Sequence, residues 1–220
     1  MILFSTEIYK LLNTALTELS DSQQSGRTPH NPLSEAHYLG AWVTTAMKKK
    51  RFDPIVVPTL LNWQRQARSL GKNAGLKRQF IYLEKCYSEV LDENKQVQAV
   101  NKNQLEKLYA KLEEEQWMVT TDLTVGERLN RHSGGKDSLI VCAQQIVDCF
   151  DEQDNLVTPI SLYVRGNQQQ IIDFAFAQNL LLYKKTDYKS KVKYHGEFVV
   201  YPNNDGSFLP EFPENQTVDQ

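Results

Sequence analysis

The residues best suited to chemistry lie in a basic and aromatic run near the end of the chain, residues 183–195. On a β-strand alternate side chains share a face, so the three lysines after Tyr188 would form one row. With a nearby arginine and histidine, this row predicts a surface that binds phosphates, and exposed tyrosines could stack on bases. The candidate polyanion-binding residues are Arg165, Lys189, Lys191, Lys193 and His195. A lysine-protected edge strand with its tyrosines in the core explains the same pattern.

A second candidate is the glycine-containing run of residues 133–138. Glycines let backbone N–H groups approach a phosphate, and a following helix would add the favourable charge of its N-terminus. The run resembles the pyrophosphate-binding loop of the adenine-nucleotide alpha hydrolase and ATP pyrophosphatase families, which implies an ATP-using enzyme. The nucleotide-binding residues would be Ser133, Gly134, Gly135, Lys136, Asp137 and Ser138. A glycine turn followed by a helix cap is the simpler interpretation, because residues 127–132 are too polar for the preceding strand.

A third pattern spans residues 63–78, where two helices joined by a glycine-bearing turn resemble a helix-turn-helix. The basic residues 48–51 lie close by in the chain. Solvated helix faces account for these charges at least as well as DNA binding does.

Other chemistries have little support in the chain. There is no G-x-S-x-G motif for a nucleophilic serine. Three sparse cysteines argue against a disulfide framework, and four histidines without an H-x-x-x-H pair argue against a metal. Asp187 and Glu197 lack an assignable third acidic ligand. We therefore expect no metal and no cofactor, and a binding protein more than an enzyme.

Composition is that of an ordinary globular protein, with 40% hydrophobic and 24% charged residues. No apolar run reaches the roughly 18 residues of a membrane span, and the first residues do not read as a secretory signal. We therefore expect a cytoplasmic protein. The net charge of -2 hides blocks of opposite sign: +6 over residues 1–80, -7 over 81–180, +3 over 181–200 and -4 over 201–220. Such blocks fit either a polyanion-binding face or complementary faces within one protein.

The spacing of apolar residues predicts an α+β protein. About five helices are predicted over residues 1–116, including one capped by Ser34. A mixed α/β sheet region is predicted over residues 117–202, and residues 203–220 are predicted to form a loosely ordered tail. Within the sheet region, residues 158–165, a helix capped by Asn167, and residues 180–183 indicate a β-α-β crossover.

The remaining predictions concern two ambiguous segments. Residues 188–194 and 197–201 are predicted as two strands joined at His195-Gly196. Residues 139–150 fit a helix, although the run 139–143 fits a buried strand as well.

Several stretches together resemble an uncharacterised family of bacterial proteins, a domain of unknown function. They are residues 51–53, 63–69, 164–167 and 186–197. The resemblance implies a bacterial cytoplasmic protein and carries no activity. Our leading hypothesis is a non-enzymatic binding or regulatory protein with a basic sheet surface for nucleic acid or an acidic protein. The alternatives are an ATP-binding enzyme and a protein–protein interaction module such as an inhibitor or immunity factor.

Overall fold

A computed structural model describes residues 2–130 and 133–213. The helices are α1 (Phe4–Gln24), α2 (Pro32–Lys48), α3 (Val57–Leu70), α4 (Leu76–Val90), α5 (Lys102–Glu114), α6 (Ala143–Asp148) and α7 (Gln168–Ala177). The strands are β1 (Met118–Leu123), β2 (Ser138–Cys142), β3 (Ile160–Arg165), β4 (Tyr183–Thr186) and β5 (Gly196–Val200). Helices fill the first half and a mixed sheet the second, which confirms the predicted α+β class. Among the described residues, no helix is long and apolar enough to cross a membrane.

The first compact unit comprises Met1–Val97 with Ser207–Leu209 and holds α1 to α4. Helix α1 packs along α4, and α2 packs along α3. The rings of Trp63 and Phe80, both fully buried, lie 4.6 Å apart between centroids in this core. The apolar faces of these helices therefore pack against one another, as the helical spacing of their apolar residues predicts.

The start of α2 differs by a few residues from the sequence prediction. The helix begins at Pro32, and the Asn31 side chain accepts a hydrogen bond from the backbone N–H of Ser34 at 2.9 Å. Asn31 is thus the cap and Ser34 lies inside the first turn. Proline fits the first helical position because no partner is required there for its missing N–H.

The second unit comprises Gln98–Gly206 with Pro210–Gln220. The division between the two units falls before α5, and the helical region predicted from the spacing of apolar residues extends through α5 to residue 116. Helix α5 belongs with the sheet because Leu105, Leu108 and Leu112 are buried in the same apolar cluster as the strands. Its start is fixed by a capping box between Asn101 and Gln104.

The sheet has the order β1-β2-β3-β5-β4. Strand β1 runs parallel to β2, and every other neighbouring pair is antiparallel. The predicted β-α-β unit is present as β3-α7-β4, but its second strand, predicted over residues 180–183, begins only at Tyr183. Strand β5 lies between the two strands. Both β3 and β4 pair antiparallel with β5, so they remain parallel to each other.

The two faces of this sheet are covered differently. On the helix-covered face, Leu139, Leu162 and Phe198 join the apolar cluster that includes residues of α5 and α7. On the loop-covered face, Ile140 and Tyr163 meet residues of two irregular segments, 124–130 and 187–195. Successive strand residues point to opposite faces, which explains why one strand serves both.

Part of the predicted tail is held against the sheet unit. The side chain of Asn204 accepts a hydrogen bond from Leu181 N at 2.9 Å, and its carbonyl accepts one from the Tyr183 hydroxyl at 2.8 Å. Further along, Glu211 N donates to Leu182 O at 2.8 Å. The last part of the predicted tail, residues 214–220, lies outside the described residues.

Candidate functional site

The basic run does not form the predicted strand. Strand β4 ends at Thr186 and β5 begins at Gly196, so residues 187–195 form a nine-residue connection instead of a two-residue turn. Short side chains satisfy the backbone locally: Thr186 Oγ1 accepts from Lys189 N at 3.2 Å, and Ser190 Oγ accepts from Val192 N at 3.1 Å. Such bonds compete with a strand ladder, which is why alternation alone predicted the wrong structure.

The connection is nevertheless fixed on the loop-covered face. Val192 is fully buried and packs with Ile140 and Tyr163 of the sheet. The backbone of Leu129 bonds to the residues on either side of Val192. Leu129 N donates to Lys191 O and Leu129 O accepts from Lys193 N, both at 2.8 Å. The segment is therefore an ordered covering of the sheet with its lysines on either side of a buried anchor.

The lysines differ in exposure. Lys189 and Lys191 are exposed, whereas Lys193 is half-buried. They do not form the single strand row that the sequence predicted, because the backbone that carries them is not a strand.

His195 is buried in the interior, not on the predicted binding surface. Its relative exposure is 0%, and both ring nitrogens lie 2.9 Å from a partner. Nδ1 faces the carbonyl oxygen of Lys193, which can only accept, so Nδ1 carries the proton and Nε2 accepts from the Ser138 hydroxyl. Burial lowers the pKa of His195, and the charge of Arg165 lowers it further. The ring therefore stays neutral and holds the turn that precedes β5.

That turn presents Tyr194 to solvent. Its φ is +65°, a left-handed conformation that is rare for a bulky side chain, and its relative exposure is 55%. The Lys193 ammonium lies 4.7 Å from the ring centroid, and the Arg165 guanidinium carbon lies 5.9 Å from it. Hydrogen bonding and charge from Lys193 lower the pKa of Tyr194, with smaller contributions from Arg165 and Arg128.

We call Arg128, Arg165, Lys193 and Tyr194 the Tyr194 cluster. Two lysines on β4 are neutralised, because Lys184 pairs with Asp187 and Lys185 with Glu197, both at 3.2 Å. Within residues 2–130 and 133–213, no carboxylate lies within 4.0 Å of the basic groups of this cluster or of the two exposed lysines of its segment. The cluster is thus a site of unneutralised positive charge around an exposed ring.

Residues 133–138 form a tight turn that leads into a strand. Gly134 and Gly135 have φ of +61° and +86°, and Lys136 N donates to Ser133 O at 3.1 Å. Strand β2 starts at Ser138, and the next helix begins only at Ala143. The helix N-terminus that makes such a loop a phosphate site is therefore not adjacent to it.

The side chains of this turn have varied positions. Lys136 is exposed, and Ser133 is buried with no hydrogen-bond partner for its hydroxyl among the residues that the structure describes. The Asp137 carboxylate accepts from Asn167 N at 3.0 Å and so joins the turn to the end of β3. Ser138 pairs with Arg165 across the sheet. The sequence-predicted nucleotide loop and the Tyr194 cluster therefore meet at one end of the sheet.

Sequence reasoning missed two members of the cluster. Arg128 lies in a polar stretch that has no regular pattern, and Tyr194 belongs to the basic run but is not among the binding residues that the sequence predicted. The only sequence signal for Arg128 is its neighbour Leu129, an isolated apolar residue that the structure packs onto the loop-covered face.

The described residues contain no group of three or more His, Cys, Asp or Glu side chains placed to hold a metal ion. All three cysteines are buried and unpaired.

Comparison with known proteins identifies a family for the chain. No curated protein and no solved structure matches the chain. Residues 3–213, nearly the whole chain, match a family described as "Protein of unknown function (DUF2913)", so the prediction of an uncharacterised family is confirmed and the chain belongs to that family.

Proposed function

We propose that this protein is a non-enzymatic binding protein whose Tyr194 cluster binds single-stranded nucleic acid. The observation that carries the proposal is an exposed tyrosine ring, held at positive φ and close to two unneutralised cations. Non-glycine residues kept in this backbone region tend to occur at ligand sites, where the surrounding structure offsets the strain.

The chemistry of single-stranded nucleic acid matches these groups. A base has a flat face that stacks on an aromatic ring, and the adjoining phosphates are anions for Arg165, Lys193 and Arg128. Lys189 and Lys191 extend the positive charge along the same segment. Tyr188, with 78% of its surface exposed, offers a second ring next to Lys189.

The aromatic rings favour nucleic acid over an acidic protein. A carboxylate on a partner protein would be attracted by the cations, but it gains nothing from a ring face. Stacking, in contrast, is worth about 1–3 kcal/mol per base.

A catalytic role for the nearby Ser138–His195 pair has no support. Both side chains have 0% exposure, so a substrate has no access to the hydroxyl. The hydrogen bond of Nδ1 to a backbone carbonyl, instead of a carboxylate, also leaves no stabiliser for a charged imidazole. The proposed setting is the bacterial cytoplasm, and three unpaired cysteines fit a reducing compartment.

The test is fluorescence anisotropy of a labelled single-stranded oligothymidylate with the full chain, at low and at moderate salt. We expect affinity to fall steeply with salt, and Arg165→Ala/Lys193→Ala to weaken binding at least about tenfold with a shallower salt dependence. Tyr194→Ala should weaken it by about 1–3 kcal/mol with little change in that dependence.

The matched control is Lys102→Ala/Lys107→Ala on α5, which removes the same charge from the helix-covered side of the sheet. Binding by this control should equal that of the wild type. Failure to bind at low salt, or equal losses in both double variants, would refute the proposal. Stronger competition by polyglutamate than by oligothymidylate would instead identify an acidic protein as the ligand.

A further inference from the structure

A second positively charged surface lies on the helical unit. Residues 54–83 contain five basic residues and no aspartate or glutamate. One of the five, Lys77, pairs with Glu35 of α2 at 2.7 Å. The other four, Arg65, Arg68, Lys72 and Arg78, are exposed, and no described carboxylate lies within 4.0 Å of them.

Two of these cations form a line on the surface of α3. Arg65 and Arg68 are three residues apart, and residues at this spacing project from the same side of a helix. Lys72 lies beyond the end of α3, in the 3₁₀ turn Gly71–Ala74. The half-exposed Leu61 stands four residues before Arg65 and adds an aliphatic side chain to the line.

A cleft of about 180 Å³ adjoins this line between α2 and α3. Arg68 lines it, together with Ala41 and the small residues at the point where the two helices come closest. A Cβ added to Gly40 would stand only 3.2 Å from Ala67 Cβ, which shows how close that approach is. Across the cleft, Gln64 Nε2 donates to Thr44 Oγ1 at 3.0 Å.

We propose that this cleft and the cations beside it bind an acidic amphipathic segment of another protein. One aliphatic side chain of the partner would enter the cleft, and its carboxylates would pair with Arg65, Arg68 and Lys72. Interfaces of this kind place an apolar anchor in a pocket and are enriched in arginine. The partner must be acidic because residues 54–83, which contain no aspartate or glutamate, offer only positive charge.

The surroundings of the cleft favour a protein over nucleic acid. Among the residues that line it, the only ring is the imidazole of His37, which offers a base a smaller stacking surface than a Trp, Tyr or Phe ring would. Leu61, in line with the arginines, and Leu70, 53% exposed at the end of α3, would face phosphates unfavourably. This site is separate from the Tyr194 cluster, and neither proposal depends on the other.

The test is selection of random peptides displayed on phage against the immobilised full chain. We expect the selected sequences to combine one or two Leu, Ile or Phe positions with several Asp or Glu residues. A synthetic peptide of the consensus should bind with an affinity that falls with salt, and Arg68→Glu should weaken binding at least tenfold.

Two further variants separate loss of the site from loss of the fold. Ala41 is exposed and lines the cleft, so Ala41→Trp should fill it and abolish peptide binding without entering the core. Lys85→Glu makes the same kind of charge change on α4, outside the cleft lining, and should bind as wild type does. Thermal unfolding and oligothymidylate binding should be unchanged in all three variants.

The proposal is overturned if selection yields no acidic consensus, or if Arg68→Glu and Lys85→Glu weaken binding equally. It is also overturned if Ala41→Trp retains full affinity for the peptide. Displacement of the peptide by duplex DNA at equal charge concentration would identify the surface as a nucleic-acid site instead.

Discussion

The two faces of the sheet are covered by different kinds of structure. Helices α5 and α7 cover one face, and the buried cluster beneath them consists of apolar side chains, most of them leucine, isoleucine and valine. Two irregular segments cover the other face, where the buried pair Ser138–His195 and the partly buried pair Ser161–Glu197 accompany a small apolar cluster. A polar face held by loops is thermodynamically expensive, because every buried polar atom requires a partner.

This difference between the two faces indicates where a binding site can form. An apolar face covered by helices tolerates few substitutions of its buried side chains. Such a face exposes no binding or reactive group to solvent. A face sealed by loops can support residues in unusual conformations, as with Tyr194 at a φ of +65°. We therefore expect variants of the helix-covered face to lose stability and variants of the loop-covered face to lose binding.

The largest effect is expected from two neighbours on β3 that point to opposite faces. Leu162→Ala should lower the free energy of unfolding by about 2–5 kcal/mol because it leaves a cavity under the helices. Tyr163→Phe removes only a hydroxyl from the other face and should cost about 1.5 kcal/mol or less. Urea unfolding measures both, and equal losses would show that the faces contribute alike.

The junction between β3 and α7 should be the next most sensitive position. Gly166 has a φ of +123°, and a Cβ there would clash with the Asp137 side chain. Gly166→Ala should therefore cost about 1–3 kcal/mol in urea unfolding and weaken oligothymidylate binding, since Arg165 precedes it. Stability equal to that of the wild type would mean that the turn adjusts freely.

The pH dependence of the unfolding free energy should reveal the titration of the buried His195. The folded-state pKa of His195 lies below its unfolded value of about 6.5, so the unfolded state binds more protons in this range. Stability is therefore fully present above about pH 6.5 and declines as the pH falls toward the folded-state pKa. Unfolding free energies measured from pH 7.5 to 5 should show this slope in the wild type.

The control for this effect is His195→Asn, which removes the titrating group. Its stability should be lower at neutral pH and nearly independent of pH across the same range. A slope that persists in the variant would assign the effect to another group.

The smallest expected change in stability comes from the exposed lysines of segment 187–195. Lys189→Ala/Lys191→Ala should change the unfolding free energy by no more than about 0.5 kcal/mol, because neither ammonium pairs with a described carboxylate. Oligothymidylate affinity should fall, but by less than in the Arg165 and Lys193 double variant. A larger fall would place the centre of binding on these lysines instead of on the Tyr194 cluster.

Local features of the fold were predictable, whereas the site was only partly so. Asn167 caps α7 as predicted, with its side chain accepting from Gln170 N at 3.2 Å, because capping involves residues three apart. The burial of His195 depends on Ser138, which is 57 residues away in the chain. A polar residue in a basic run gives no local indication of such a partner.

The lysine segment shows a second limit. Alternating lysines are typical of a strand, but here short hydroxyl side chains at Thr186 and Ser190 satisfy the backbone before a ladder can form. The apolar run at residues 139–143 was ambiguous for a similar reason, since a short buried strand and a helix share its composition. The structure resolves that run as β2 followed at once by α6.

The placement of β5 has a consequence for how the chain is made. Of the five described strands, this one is the last to emerge during synthesis, yet it fills the gap between β3 and β4. Until residues 196–200 leave the ribosome, β3 exposes an open edge and β4 has no partner among the named strands. The sheet is thus completed by insertion of its final strand, and a nascent or truncated chain that ends before Gly196 presents an unpaired edge for aggregation.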